Sequence, residues 1–323
     1  MKEQKKNTQL THSLILLLTA IIWGTSFVAQ SSGMQTVGPL IYNCIRMFLG
    51  GLILIPIIYI KNRIEARKHP ELTDNYKSIQ KLSIRKGITA GIILAVASNL
   101  QNVAMIDTSA GKAGFMTALY IILVPILGIF MKKKTSVLTW ISVFLAIVGL
   151  YFLCIGRDGD MSLVPSDILL LGCALFFSFH ILYIDSLDKS IDGLTLSSTQ
   201  FITTGFISIP FIYLIDILVF KRFPSFDILW EARLPIFYSG FMSCGIAYTL
   251  QIIGQKGVNP TLASLIMSLE SVVSAISGLI ILRQKLSVDE TIGCIVMFTA
   301  VILAQINPHS FKKGSTAEPN PES

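Results

Sequence analysis

The chain has 323 residues, of which 52% are hydrophobic and 14% charged. A soluble domain carries roughly 25% charged residues, so this composition, with a mean hydropathy of +0.67, excludes an ordinary soluble enzyme and calls for an apolar solvent around much of the surface. The net charge of +7 does not indicate a nucleic-acid partner, because Lys and Arg sit in short clusters between apolar runs.

A membrane helix needs about 20 mostly apolar residues. Runs of this kind lie at 12–32, 39–60, 87–106, 110–131, 136–155, 166–186, 196–219, 235–255, 260–282 and 288–306. Strands of a membrane barrel would be about half as long and would alternate. Helices close their own backbone bonds, as hydrocarbon requires. Lys2, Lys5 and Lys6 precede the first run, and Ala29-Gln30-Ser31 could pass for a signal-peptidase site. Residues 14–29 are nevertheless long for a signal core and have a counterpart later in the chain, so the run reads as a retained first helix after a short N-terminus, 1–11. Residues 61–86 read as a basic, polar loop with eight Lys and Arg, and 220–234 as a mixed loop. Residues 156–160 read as a plain exterior turn, and the tail 307–323 as disordered. The five cysteines, Cys44, Cys154, Cys173, Cys244 and Cys294, lie in or at the ends of apolar runs without metal-ligand spacing and read as small hydrophobes. No P-loop, dinucleotide fingerprint or nucleophile elbow occurs, and no cofactor is expected.

Orientation follows from the basic residues. With the N-terminus in the cytoplasm, the inside segments of the first half hold 14 Lys and Arg against two outside; the second half holds four against five. Ten crossings then place both termini in the cytoplasm of a cell-membrane protein.

The two halves resemble each other. An offset of 154 matches Gly51 with Gly205, Ile53 with Ile207, Pro56 with Pro210 and Tyr59 with Tyr213, and also Trp23 with Phe177. An offset of 150 matches Leu100-Gln101 with Leu250-Gln251, Ala113 with Ala263, Leu119 with Leu269 and Gly128 with Gly278. The units are 12–155 and 166–306. Each has five helices, and an odd number forces the second to insert upside down relative to the first. Such inverted repeats let one central site face either side at similar energy, which suits a secondary transporter.

The chain resembles the EamA family of the drug/metabolite transporter superfamily over about 12–306. The residues that carry this are Trp23-Gly24-Thr25-Ser26-Phe27, Arg46-Met47-Phe48, the stretch from Ala113 through Tyr120, and Ala263-Ser264-Leu265 with Leu269-Glu270-Ser271. The resemblance implies alternating access around a cavity lined by helices 1, 3, 4, 6, 8 and 9, and small metabolites, amino acids or drugs as solutes, often moved outward. Two departures stand out: the Gly-Glu-Arg-like ends after helices four and nine read Lys132-Lys133-Lys134 and Leu282-Arg283-Gln284-Lys285, and Ser271 replaces a frequent Pro.

An ionisable side chain inside a membrane helix costs about 2.5–3.5 kcal/mol on insertion scales. Two sit well inside the runs. Glu270 shares a small, polar face with Ala263, Met267, Ser274 and Ser277, and reads either as a coupling or solute-binding carboxylate or as a structural acid. Arg46 reads as a clamp for a carboxylate or phosphate, or as a snorkelling headgroup contact. Its match in the second repeat is Gln200. Softer cavity candidates are Trp23, Ser26 and Gln30 on one stripe, Gln101, Asn102, Thr117, Tyr120, Tyr248 and Gln251, each of which taken singly reads first as an interhelical hydrogen bond and second as a cavity contact. His180 has aromatic neighbours and reads as a packing residue or a proton sensor. Gly87 and Gly91 form a G-x-x-x-G pattern for close helix packing.

The expectation is an all-α membrane protein of ten helices in two inverted five-helix repeats, working as a secondary transporter, in the exporting direction, of a small-molecule solute. The lipid bilayer is its other partner, and monomer and homodimer stay open. The alternatives are a membrane sensor or assembly protein, for which 61–86 is the longest soluble segment, and an intramembrane enzyme, for which the single acids lack partners.

Overall fold

The computed structural model describes residues 2–68, 73–108, 110–133, 135–154, 164–223, 225–281 and 287–306. The expected turn at 156–160, the tail 307–323 and the end of helix nine at 282–285 lie outside them. Among the described residues ten apolar helices follow one another, nine long enough to cross a membrane and one shorter, Val137–Leu153. They are α1 (Lys2–Val37), α2 (Pro39–Lys68), α3 (Thr73–Ala104), α4 (Ala110–Ala118 continuing as Tyr120–Phe130), α5 (Val137–Cys154), α6 (Pro165–Ser186), α7 (Gly193–Phe211, widening over Ile212–Ile217), α8 (Arg233–Tyr238, Ser239–Tyr248 and Thr249–Gln255), α9 (Pro260–Met267 and Glu270–Ile281) and α10 (Val288–Ile306). No strand occurs among the described residues.

The helix starts are written in local chemistry. Gly38, at φ +106°, makes the reversal between α1 and α2 that a side chain would resist. Asp192 caps α7 by accepting from the Thr195 amide, and Asn259 caps α9 ahead of Pro260. The expected loop 61–86 is instead largely helical. α2 runs on to Lys68 and α3 begins at Thr73, with the Tyr76 hydroxyl donating to Glu65 at 3.3 Å between the two extensions. Polarity marks where a helix leaves hydrocarbon, not where it ends. For the same reason the expected loop 220–234 contains a short helix, Phe226–Glu231, capped by Ser225.

Packing obeys a two-fold exchange of the halves. α1 packs on α8 and α9, while α6 packs on α3 and α4; α2 packs on α8, while α7 packs on α3. The self-related pairs α2 with α7 and α5 with α10 are also in contact. Replacing each helix by the one five places on turns the list into itself, as inverted repeats require. Glycines set the closest approaches. A Cβ on Gly87 would stand 2.7 Å from Thr199 Cβ, and one on Gly91 2.7 Å from the Gln200 carbonyl, so this pattern seats α3 against α7. Large side chains such as Phe144, Phe206, Leu234 and Ile302 face outward, an arrangement stable only against lipid.

Candidate functional site

The two helices that break do so at matched positions. α4 stops at Ala118 and restarts at Tyr120; α9 stops at Met267 and restarts at Glu270. Leu119 and Leu269 sit at these breaks, and they are matched by the 150-residue offset. Each break is a tightened turn that keeps its own backbone bonds, Leu119 N donating to the Met116 carbonyl at 3.3 Å and Leu269 N to the Ile266 carbonyl at 3.2 Å. Gly24 explains how α1 fits here: a Cβ at that position would lie 2.5 Å from Val273 Cβ and 2.6 Å from the Glu270 carbonyl oxygen. The glycine of the Trp23–Phe27 motif is thus where α1 lies directly on the α9 break.

A cavity opens beside the breaks. Its water-accessible volume is about 70 Å³, room for several waters at on the order of 10–15 Å³ each. Every one of Glu270, Arg46, Trp23, Gln101, Tyr120, Tyr248, Gln251 and His180 lines it, as do Ser26, Gln30 and Thr117. Asn102 does not. It is completely buried behind the wall, accepting from Gln30 Nε2 at 3.3 Å and donating to the Ser98 carbonyl at 2.6 Å.

Arg46 does not snorkel. It is 5% exposed and held inward. Its Nε donates to Asn43 Oδ1 at 3.0 Å and its Nη1 to Gln30 Oε1 at 2.8 Å. Asn43 in turn donates to Ser98 and Asn99, so a relay of amides from α1, α2 and α3 orients the guanidinium. Helix α2 therefore joins the six lining helices that the resemblance implied. Glu270 Oε1 accepts from the Tyr120 hydroxyl at 3.4 Å. Neither Arg46 nor Glu270 has an oppositely charged partner among the described residues.

Tyr248 is the aromatic hub of the wall, with its ring centroid 4.7 Å from Trp23, 5.4 Å from Phe201 and 6.2 Å from His180. His180 lines the cavity yet is satisfied, its Nε2 meeting Gln200 Oε1 at 3.0 Å. Gln200 is the counterpart of Arg46, so the same position holds a cation in one half and a neutral amide in the other. Two buried polar atoms in the wall, Trp23 Nε1 and Gln251 Oε1, have no partner among the described residues. A donor and an acceptor left bare in an apolar setting cost on the order of 1–3 kcal/mol each. They are a donor and an acceptor available to a molecule in the cavity.

The family model that matches this chain is described as the EamA-like transporter family, and it covers residues 10–155 and 164–305. The chain belongs to the EamA-like transporter family. Three relatives agree. An uncharacterized transporter of Archaeoglobus fulgidus is 27% identical over 90% of this chain and 84% of its own length. The uncharacterized transporters YwfM and YoaV of Bacillus subtilis are 21% and 18% identical, covering 95% and 89% of this chain and 97% and 94% of their own. A solved crystal structure shares the fold with a TM-score of 0.71 at 16% identity, over 91% of this chain and 96% of that one. This EamA-like protein is a multi-pass membrane protein of a transporter family.

Two residues escape sequence reasoning. Ser243 lines the cavity with Tyr248, although four-residue spacing would put Cys244 there. The wider backbone register of Ser239–Tyr248 brings residues five apart onto one face. Asp216 is a further acid, near the end of the apolar run 196–219, and is 0% exposed at the end of α7. No motif or repeat match singles it out, and only the fold shows it turned inward onto the start of α2. Among the described residues no group of three or more His, Cys, Asp or Glu could hold a metal ion.

Proposed function

We propose that this EamA-like protein is a secondary transporter that exports a small polar solute by alternating access through the central cavity. The observation that carries the reading is the guanidinium of Arg46 and the carboxyl of Glu270 in one buried wall, neither with an oppositely charged partner among the described residues, beside Trp23 Nε1 and Gln251 Oε1, which lack partners there too. An isolated buried charge is costly unless paired. A solute that brings both an anionic and a cationic group, with an apolar part for the Trp23, Phe177 and Tyr248 surfaces, compensates both at once; an amino-acid-like zwitterion has this form. The cavity at about 70 Å³ is smaller than such a solute, so the halves have to move apart to admit one. The halves would rock about the α4 and α9 breaks, with both termini on the cytoplasmic side.

The test is flux in liposomes. Purified protein gives saturable exchange of zwitterionic solutes, and Glu270→Gln and Arg46→Ala each reduce it. Wild-type rates in both folded variants would remove these residues from the site. Absence of exchange for any zwitterion, amine or organic anion would remove the transport reading itself.

A further inference from the structure

We infer that Lys61 with Asp192, and Asp216 with the start of α2, are the two gates of the transport cycle, one at each end of the cavity and related by the internal two-fold. This rests on the transport reading above. At the end of the bundle carrying the 61–86 segment, Lys61 near the end of α2's apolar run bonds Asp192, the cap of α7, at 2.5 Å. The Asp192 amide donates to Ser83 of α3 at 2.9 Å, so three helices close on one residue. At the other end the roles are exchanged. Asp216 at the end of α7 accepts from the Leu40 and Ile41 amides at the start of α2, at 3.0 and 2.8 Å. Arg222, six residues on, donates to the Met34 and Gln35 carbonyls at the end of α1, at 3.2 and 2.9 Å. The 154-residue offset pairs Gly38 with Asp192 and Asn62 with Asp216. In each half the end of the second helix therefore holds the beginning of the partner's second helix, with Lys61 one residue before the counterpart of Asp216.

Both contacts join α2 to α7, one helix from each half. Rocking the halves apart at either end must break the contact at that end while the other can persist. The two differ in strength. The Lys61 side chain is 41% exposed and its bond to Asp192 is open to solvent and salt. Asp216 is 0% exposed and so shielded from salt, and its Oδ2 accepts both amides of a helix N-terminus whose dipole favours a carboxylate, while its Oδ1 has no partner among the described residues. The protein accordingly opens more readily at the 61–86 end, and the Asp216 end is the one that solute binding has to help open.

The test needs no solute. A Ser26→Cys probe in the cavity wall is labelled with a membrane-impermeant maleimide from each side of sealed vesicles, against parent protein without the probe. Asp216→Asn raises labelling from the face opposite the 61–86 segment by about fivefold or more. Arg222→Gln moves it in the same direction and stands in where Asp216→Asn fails to insert. Lys61→Gln raises labelling from the 61–86 face by about twofold, and raised salt does the same in the parent but adds nothing to Lys61→Gln. Unchanged labelling from the opposite face in both Asp216→Asn and Arg222→Gln, or an increase on the 61–86 face instead, overturns the assignment. Shifted labelling without flux in liposomes would count against the transport reading alone; flux with unmoved labelling would count against the gates alone.

Discussion

Tyr120 and Glu270 hold the same position in the two repeats, each the first residue after a helix break, and the Tyr120 hydroxyl meets Glu270 Oε1 at 3.4 Å. The pseudo-two-fold thus passes close to a contact between a phenol and a carboxylate. One half offers a phenol where the other offers a carboxyl, so two frames of nearly equal shape build one asymmetric wall. A hydrogen bond to a charged group contributes about 1.5–3 kcal/mol. Glu270→Gln should therefore lower exchange of a cationic or zwitterionic solute by roughly tenfold or more, read as kcat/KM in liposomes. Tyr120→Phe should cost less, because the bond it removes is long. Equal losses in both variants would assign Glu270 to the break geometry and not to the solute.

Arg46 separates charge from shape. Its fork is held by Gln30 and Asn43, and a lysine ammonium cannot reproduce two directed bonds from one planar group. Arg46→Lys should keep part of the exchange and raise KM, while Arg46→Ala reduces exchange further. Gln30→Ala leaves the charge in place without its support and should resemble Arg46→Lys. Full activity of Arg46→Lys together with loss in Gln30→Ala would mean that the amide, not the cation, contacts the solute.

Much of this was legible in the sequence, and the parts that were not share a cause. Ten apolar runs and the 154- and 150-residue offsets give the helices, their order and the inversion, because burial in lipid leaves a signal in every residue of a span. The cavity candidates were legible for the same reason, since a polar side chain inside such a run needs a partner or a site. Partners are what a single run cannot show. Asn102 and Gln101 are adjacent and both amides, yet one is a relay residue behind the wall and the other lines the cavity. Which is which depends on the neighbours each amide meets, Gln30 of α1 for Asn102 and Thr117 of α4 for Gln101. The register shift that brings Ser243 beside Tyr248 and the inward turn of Asp216 are likewise set by neighbouring helices. The extent of α2 and α3 beyond the membrane was hidden because hydropathy reports the solvent and not the backbone.

Gly24 tests the contact of α1 with the α9 break. Its missing side chain leaves room for Val273 and the Glu270 carbonyl, and a methyl there would stand at 2.5 and 2.6 Å from them. The second neighbour is backbone and cannot rotate away. Gly24→Ala should destabilise by about 1–3 kcal/mol through overpacking, seen as a lower Tm in detergent. Ser178, the counterpart of Gly24 in α6, is completely buried and donates to the Ala174 carbonyl of its own helix. Ser178→Ala removes one local bond without adding volume and should change Tm far less. A larger effect at Ser178 than at Gly24 would place the tighter crossing in the other half.

The Lys61–Asp192 contact carries a defined pH dependence. Burial raises the Asp192 carboxyl, but bonds from Lys61 and from Thr195 outweigh it and hold the group below its ordinary value of 3.8. The other charged groups at this end are Lys256, whose pKa burial lowers and Asp192 partly restores, with Asp188 near it and Glu65 in the same hollow. A carboxyl depressed in the closed form stabilises that form above its free value, and the stabilisation is lost as pH falls through the depressed one. The contact is therefore intact throughout the range from about pH 5 to 8. Labelling of the Ser26→Cys probe from the 61–86 face, corrected for the reagent's own pH dependence, should be flat across it. It should rise only in acid below the ordinary carboxyl range, and in Lys61→Gln, where the contact is already absent, it should start high and stay flat. A step near neutral pH in the parent would assign control of this end to a group other than Asp192.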